Sequence, residues 1–191
     1  MSDTATAAAN GHETGYGSKG YRTYVLLALM VVYTLNFIDR NLIGVLAEPI
    51  ITTFNLSDTQ FGLLASWPFA IFYAVMGLPI AMAADRFNRV NIIVICIVLW
   101  SVMTALCGIA AGFITLMLFR IGVAVGEAGC TPPANSIIGD YYPAKNRATA
   151  LGIYSMGVTL GGVLAYLFGG PLAELSGPAF GAWLNSVGVG G

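Results

Sequence analysis

Apolar residues form five long segments along the chain, and short polar breaks separate them. Each segment is long enough to cross a hydrocarbon core of about 30 Å as an α-helix, because a helix rises about 1.5 Å per residue. The alternating pattern that is typical of transmembrane strands is absent from the sequence. The pattern therefore predicts an all-α integral membrane protein with a helical bundle over residues 21–172. The predicted spans cover residues 24–47, 60–83, 91–111, 113–138 and 148–170, and the first break covers residues 48–58.

The composition excludes several classes of protein. Hydrophobic residues make up 57% of the chain and charged residues only 9%, with a mean hydropathy of +0.79. A soluble domain carries about 25% charged residues, so an ordinary soluble enzyme is excluded. A net charge of -1 provides no basic surface for a phosphate backbone, so we expect the lipid bilayer and no nucleic acid as a partner.

The cysteines indicate neither a disulfide framework nor a metal site. Their number is odd, and all of them lie in apolar stretches, which is typical of buried and inert thiols. We expect no metal and no cofactor. These residues are Cys96, Cys107 and Cys130.

The basic residues predict the orientation in the membrane. Six of the eight Lys and Arg residues lie beside the N-terminal tail, the second-to-third loop or the fourth-to-fifth loop. These regions share one side if five helices alternate, so the positive-inside rule predicts a multi-pass protein of the inner (plasma) membrane with a cytoplasmic N-terminus. Residues 1–20 are predicted to be a disordered cytoplasmic tail. Residues 173–191 are predicted to be an extracytoplasmic segment that leads to a missing sixth helix.

Two spans carry ionisable residues at membrane depth. Asn36, Asp39 and Arg40 lie in the first span, and Arg120 and Glu127 lie two helical turns apart on one face of the fourth span. One charge at the bilayer centre costs at least about 2.5 kcal/mol, which favours a functional role for four of them. The same two spans occupy corresponding places in three-helix repeats of the kind that build secondary transporters.

The helical rise predicts how these charges pair. Asp39 and Arg120 fall in the outer half of their oppositely directed helices, whereas Glu127 lies about 10 Å nearer to the cytoplasm. Asp39 with Arg120 is therefore the easier resting pair. Glu127 is expected to meet Arg40 only if the Arg40 side chain reaches down or the helices tilt.

Glycines and prolines predict where helices pack closely or bend. In a bilayer, small residues let helix backbones approach each other, and we expect this role for Gly122, Gly126, Gly157 and Gly161. Prolines in the second and fourth spans should kink those helices. These prolines are Pro68, Pro79, Pro132 and Pro133. The nearby aromatic residues of the second span either line a lipophilic pocket or have lipid-facing or packing roles. These residues are Trp67, Phe69, Phe72 and Tyr73.

The end of the second span resembles the cytoplasmic signature of the Major Facilitator Superfamily. The segment GLPIAMAADRFNR runs from Gly77 to Arg89 and matches the small residue, the Asp-Arg pair and the last Arg of that signature. The resemblance implies a cytoplasmic gate motif built by Gly77, Asp85, Arg86 and Arg89. Asn88 stands in place of the loop glycine, and we expect it to preserve the turn because Asn tolerates the left-handed conformation.

Further segments resemble the bacterial branch of the spinster-like transporters within that superfamily. They are FIDRN in the first span, Leu56–Leu64, Arg120–Pro143 and Arg147–Gly162. The resemblance implies a Major Facilitator-type helical bundle that forms an incomplete N-terminal six-helix half. It also implies a C-terminal six-helix half of the same transporter as a partner. By position, Asp39 and Glu127 would couple protons, and Arg40, Arg120 and Asn36 would be their charge partners or bind substrate.

The resulting functional hypothesis is a proton-coupled secondary transporter that moves an amphipathic or lipid-like organic solute by alternating access. Burial favours the neutral form of a carboxyl group and a nearby Arg favours its charged form, so a movable Arg would switch proton affinity. One alternative is a uniporter or importer of small organic anions that are clamped by Arg40 and Arg120. A structural membrane subunit is another. An intramembrane enzyme that pairs Asp39 with Asp140 is disfavoured, because these residues differ in depth, and we expect no enzymatic activity.

Overall fold

The computed structural model describes residues 16–186, so most of the predicted tail and residues 187–191 lie outside the described residues. Within residues 16–186 the chain forms α-helices and no strand, as the sequence predicts. The helices are α1 (Lys19–Val45), α2 (Ala47–Phe54), α3 (Asp58–Ala65), α4 (Trp67–Arg86), α5 (Arg89–Cys107), α6 (Phe113–Ala128), α7 (Thr131–Tyr141) and α8 (Ala144–Ser186).

Five parts of this described region are long and apolar enough to cross a membrane. The first span is α1, the second joins α3 and α4, the third is α5, the fourth joins α6 and α7, and the fifth is the Ala144–Pro171 part of α8. The third span, α5, ends at Cys107, earlier than the predicted boundary at residue 111, and α8 continues as helix beyond residue 170 to Ser186.

The first predicted break, residues 48–58, overlaps a short helix that the sequence pattern did not predict. Residues 47–54 form α2, whose apolar residues Ile50 and Phe54 pack against the buried Leu56, Leu64 and Leu116. The helix ends at Asn55, which has a φ of 48° in the left-handed region. A short apolar stretch can therefore fold back onto the bundle instead of forming an extended loop.

The second and fourth spans are interrupted at the places where prolines begin a new helix. Ser66 separates α3 from α4, and Pro68 lies in the first turn of α4. Gly129 and Cys130 separate α6 from α7, and Pro132–Pro133 lie in the first turn of α7. Proline is tolerated in a first turn because the backbone N–H that it lacks has no partner there. Pro79, by contrast, lies inside α4, which continues past it.

Glycines lie at the two most extensive helix contacts. A methyl group on Gly161 of α8 would lie 2.5 Å from the Phe37 Cβ atom and 2.7 Å from the Thr34 carbonyl oxygen of α1. Gly157 lies one turn earlier and faces the Met30 carbonyl oxygen in the same way. The absence of a side chain at these positions allows α8 to pack directly on the α1 backbone.

Glycines also allow the close contact between α5 and α6. A methyl group on Gly126 would lie 2.8 Å from the Trp100 backbone nitrogen, and one on Gly122 would lie 2.7 Å from the Met103 sulfur. These two contacts set the positions of α1 and α6, which carry the ionisable residues inside the bundle.

Candidate functional site

Two ion pairs join α1 to α6 in the interior of the bundle. Arg40 donates to Glu127 Oε2 from Nη2 at 2.9 Å and from Nε at 3.2 Å. The Nη1 atom of Arg120 lies 3.7 Å from Asp39 Oδ2. Each carboxylate also interacts electrostatically with the arginine of the other pair. We call these four residues the charge network; its formal charge sums to zero.

The charge network is largely shielded from the surroundings. The side chain of Glu127 is 0% exposed, those of Arg120 and Asp39 are 8% and 12% exposed, and that of Arg40 is 30% exposed. Three buried polar atoms have no hydrogen-bond partner among the described residues: Asn36 Nδ2, Arg120 Nε and Glu127 Oε1. A buried polar atom without a partner is costly. Glu127 Oε1 is therefore available to a proton, and the two nitrogens are available as donors to a polar ligand group.

The closest contact in the network differs from the expected resting pair. The helical rise favours Asp39 with Arg120, but Arg40 and Glu127 are closer and share two hydrogen bonds. The helical rise locates backbone atoms only, whereas the long Arg40 side chain reaches along the helix to Glu127. Both pairs therefore exist together in this conformation.

Aromatic rings surround the Arg40 guanidinium, whose central carbon lies 4.6 Å from the Tyr73 ring centroid, 5.0 Å from that of Phe69 and 5.1 Å from that of Phe37. A guanidinium within about 6 Å of a ring centroid is attracted to the ring face. The sequence pattern pointed to Phe69 and Tyr73 but did not predict that they would contact an arginine. Their spacing of four residues did indicate that they lie on one face of α4 and could contact the same group.

Thr104 is a second neighbour of the network that sequence reasoning missed. Its hydroxyl donates to Asp39 Oδ2 at 3.1 Å from α5, the third span. A hydrogen bond favours the charged form of a carboxyl group and fixes its orientation. A polar residue inside a strongly apolar span was the only sign of this contact in the sequence.

A cavity of about 340 Å³ reaches the charge network. Asp39, Thr53, Thr104 and Arg120 supply polar lining, and most of the other lining residues, among them Leu42 and Ile50, are apolar. The combination of a few convergent polar groups with apolar walls is typical of small-molecule sites.

The residues of the cytoplasmic signature lie at the opposite end of the second span. Arg89, at the start of α5, forms an ion pair with Asp140 near the end of α7. Asp85 and Arg86 are exposed and line a cavity of about 570 Å³ at this end. A methyl group on Gly77 would meet no atom within 4 Å in the described part of the chain.

Asn88 preserves the turn by a different mechanism from the expected one. Its φ of -64° and ψ of 116° are extended, not left-handed. The Asn88 side chain accepts from the Val90 nitrogen at 2.9 Å and from the Asn91 nitrogen at 3.4 Å, and so caps α5. The expectation of a left-handed conformation was wrong, because an Asn that begins a helix is stabilised by these backbone donors.

The structure separates the two aspartates of the enzyme alternative. Asp39 belongs to the buried charge network, whereas Asp140 forms an exposed ion pair with Arg89 at the end of α7. Among residues 16–186, no group of three or more His, Cys, Asp or Glu side chains is placed to hold a metal ion.

Comparisons with known proteins identify transporters. The profile of the Major Facilitator Superfamily matches residues 29–190. A crystal structure of a bacterial homolog to the human lysosomal transporter Spinster, in an inward-facing and occupied conformation, superimposes with a TM-score of 0.81 at 68% sequence identity. That match covers 91% of this chain and 37% of the other chain.

Curated relatives are also transporters. An MFS-type efflux pump of Mycolicibacterium smegmatis is 40% identical over 76% of this chain and 34% of its own length. A hexuronate transporter of Bacillus subtilis is 30% identical over 82% of this chain and 36% of its own length. The chain thus spans about a third of the length of the relatives that it matches.

Proposed function

The chain belongs to the Major Facilitator Superfamily, whose members are membrane transporters and not enzymes, and we propose that it forms the N-terminal part of a proton-coupled secondary carrier. The cargo in this proposal is an amphipathic or lipid-like organic solute. The observation that carries the proposal is the fully buried Glu127, which shares one carboxylate oxygen with Arg40 and leaves the other without a partner.

Proton binding at Glu127 gives this geometry a mechanism. A proton on the free Oε1 atom neutralises the carboxylate and weakens its two hydrogen bonds with Arg40, because the Coulomb attraction between two opposite charges is lost. Arg40 then loses its main partner and can move relative to α6. Such a change favours one of two conformations over the other, which is the requirement for alternating access.

Asp39 is the second proton-binding group in this proposal. It interacts with Arg120 and Arg40 and accepts a hydrogen bond from Thr104, so its charge depends on the positions of both arginines. The nearby Asn36 amide, buried and without a partner for its nitrogen, supplies a donor to a polar group of the solute. The cavity beside Asp39 and Arg120 has mainly apolar walls, which suits the apolar part of an amphipathic molecule.

The carrier needs further helices beyond those described. We propose that a C-terminal six-helix half of the same transporter completes it, and we call this chain together with that half the complete carrier. The same proposal places the N-terminus in the cytoplasm. Contacts between the start of α1 and the end of α7, such as the Tyr21 and Tyr141 rings at 5.7 Å, support it by bringing basic ends of several spans to one side.

The cytoplasmic signature acts as a gate in this proposal. The Arg89–Asp140 pair holds α5 against α7 at the end where the proposed gate lies. Asp85 and Arg86 remain exposed beside it and are available to contact the C-terminal half, and Gly77 leaves room for a close approach.

Replacing Glu127 with Gln in the complete carrier tests the proton-coupling role. Gln keeps the size of the side chain but cannot cycle through a charged form, so solute transport driven by a pH gradient in proteoliposomes should be abolished. Glu48→Gln, an exposed residue of α2, is the matched control and should retain transport. Unchanged pH-driven transport in Glu127→Gln would show that the proposed role is wrong.

A uniporter or importer of small organic anions is the second candidate. The likeness to a hexuronate transporter favours it, as do two arginines in the interior that a carboxylate can contact. This candidate predicts transport that is independent of a pH gradient and is inhibited by simple carboxylates. The two assays can be performed on the same vesicles, so one experiment separates the candidates.

A further inference from the structure

Phe69 of α4 contacts both arginines of the charge network. Its ring centroid lies 5.0 Å from the central guanidinium carbon of Arg40 and 5.2 Å from that of Arg120. Phe69 is buried, with 8% of the residue exposed, and it packs on Val123 and Ala124 of α6. One ring thus contacts two positive charges that belong to different helices and different ion pairs.

This arrangement has a physical reason. Two guanidiniums in an apolar interior repel each other, and the negative face of an aromatic ring is attracted to both. Between its first residue and Asp85, the helix α4 contains no charged residue. Within α4, the aromatic residues Phe69 and Tyr73 contact the arginines of the network.

We propose that Phe69 is a positioning residue that couples the two ion pairs, because its ring holds both guanidiniums against their carboxylates. In the intact protein, protonation of one carboxyl group would affect the other through the shared ring, in addition to their direct electrostatic interaction. Loss of the ring contact would release Arg40 and Arg120 together. The coupling to transport rests on the proposed function, whereas the coupling between the two pairs does not.

The position of Phe69 in the chain fits this role. It lies in the first turn of α4, directly after the helix break at Ser66 and next to Pro68. A helix that begins at a break can change direction there, and the residues of its first turn then move together. A movement of α4 relative to α6 would change the distance from the ring to both arginines in one step.

The neighbouring groups define what else can influence the titration. Tyr73 contributes a second ring to Arg40 but is not found against Arg120. The other titratable or charged groups that interact with the network come from α1, α5 and the α6–α7 junction. These groups, with Tyr73 itself, are Tyr33, Cys107 and Cys130. A matched substitution of Phe69 leaves all of them in place.

The test replaces the ring while keeping the volume. In the purified complete carrier, 3,4,5-trifluorophenylalanine at position 69 weakens the negative ring face without a change of shape, and Phe69→Leu removes the ring. Infrared titration of the carboxyl C=O band follows protonation directly, and Asp39→Asn and Glu127→Gln assign the two components. Phe72→Leu, on the same helix and 39% exposed, is the control.

Both substitutions should move the protonation midpoints to higher pH by about half a unit, since less firmly held arginines stabilise the carboxylates less. The shift of the Glu127 midpoint that Asp39→Asn causes should also become smaller, while the direct electrostatic interaction between the two carboxyl groups remains. Phe69→Tyr, which keeps the ring, should restore the original behaviour. Unchanged midpoints and unchanged coupling in the trifluoro variant would overturn the proposal, even if Phe69→Leu fails to fold.

The same variants in vesicles separate this proposal from the proposed function. If pH-driven transport persists in Glu127→Gln, the proton-coupled mechanism is wrong, and the infrared titration still decides whether Phe69 couples the pairs. If Glu127→Gln abolishes transport but the trifluoro variant keeps the original midpoints, only the role of Phe69 is rejected.

Discussion

Two ion pairs of the same chemistry lie in different surroundings in this protein. Arg40 pairs with Glu127, and Arg89 pairs with Asp140, in each case between helices far apart in sequence. The Glu127 side chain is 0% exposed, whereas that of Asp140 is 65% exposed. Exposed pairs contribute about 0–1 kcal/mol to stability because water and salt screen them. Removing one partner of a buried pair costs about 3–5 kcal/mol, since the other charge remains without compensation.

The difference shows why burial is the feature that relates the charge network to the proposed function. When an exposed carboxylate separates from its arginine, water molecules hydrate it instead, so the free energy changes little. A buried carboxylate has no water to replace its arginine. Whether the carboxyl group is protonated therefore depends on where the arginine lies. The following predictions test this contrast, beginning with the largest expected effect and ending with the smallest.

Removal of Glu127 should have the largest effect on stability. Glu127→Leu leaves the partly buried Arg40 without its partner and should lower the free energy of unfolding by about 3–5 kcal/mol. Replacing both residues, as Arg40→Met with Glu127→Leu, should recover most of that loss because no unpaired charge remains. Denaturant titration in detergent micelles measures both. A double variant as unstable as the single one would show that the pair itself stabilises the fold.

The network, unlike the exposed pair, should depend on the close approach of α1 and α8. A methyl group on Gly161 would overlap Phe37 and the Thr34 carbonyl, so Gly161→Ala should cost about 1–3 kcal/mol and displace α1. Gly162→Ala is the control, because a methyl group there meets nothing within 4 Å. Thermal unfolding of the two variants checks the prediction, and equal stabilities would contradict it.

Thr104 should contribute less than the buried pair and more than the exposed one. Thr104→Val removes the donor to Asp39 without much change in volume, and we expect a loss of about 1.5–3 kcal/mol because the acceptor is charged. Thr104→Ser keeps the hydroxyl and should retain most of the stability. If Val and Ser variants unfold at the same denaturant concentration, the hydrogen bond has no net contribution.

The exposed pair should give the smallest effect. Arg89→Gln should change stability by about 1 kcal/mol or less, and the difference should vanish at about 1 M salt, where the screening length is near 3 Å. The exchanged double variant, Arg89→Asp with Asp140→Arg, should be close to the original protein at low salt. A large loss of stability in Arg89→Gln that does not depend on salt would show that this pair contributes as much as the buried one.

The sequence was sufficient for the overall architecture, because hydrophobic length and the cost of buried charges are local properties. The five spans and the positions of Asp39, Arg40, Arg120 and Glu127 follow from these properties alone. The expected Asp39–Arg120 pair is present, but the closer Arg40–Glu127 pair did not follow, since a rise per residue leaves open how far an arginine side chain reaches. The family resemblance to spinster-like transporters was confirmed by the profile and by the solved structure.

Local conformation at two connections was also beyond the sequence pattern. Asn88 caps α5 instead of adopting the left-handed conformation, and residues 47–54 form a helix in what the pattern marks as a break. In both cases the outcome depends on nearby structure: the free N–H groups at the start of α5, and the apolar surface on which α2 packs.

The sequence by itself determined that this protein lies in a membrane as a helical bundle and that four charges, balanced in sign, lie within it. Those facts depend on hydrophobic length and on the cost of burying charge, which are properties of each segment alone. Only the tertiary structure decided that Arg40 meets Glu127, that Thr104 holds Asp39 and that Phe69 contacts both arginines. Such contacts join residues of different helices, and they arise from side-chain length and from the helix spacing that glycines allow, which no single segment contains.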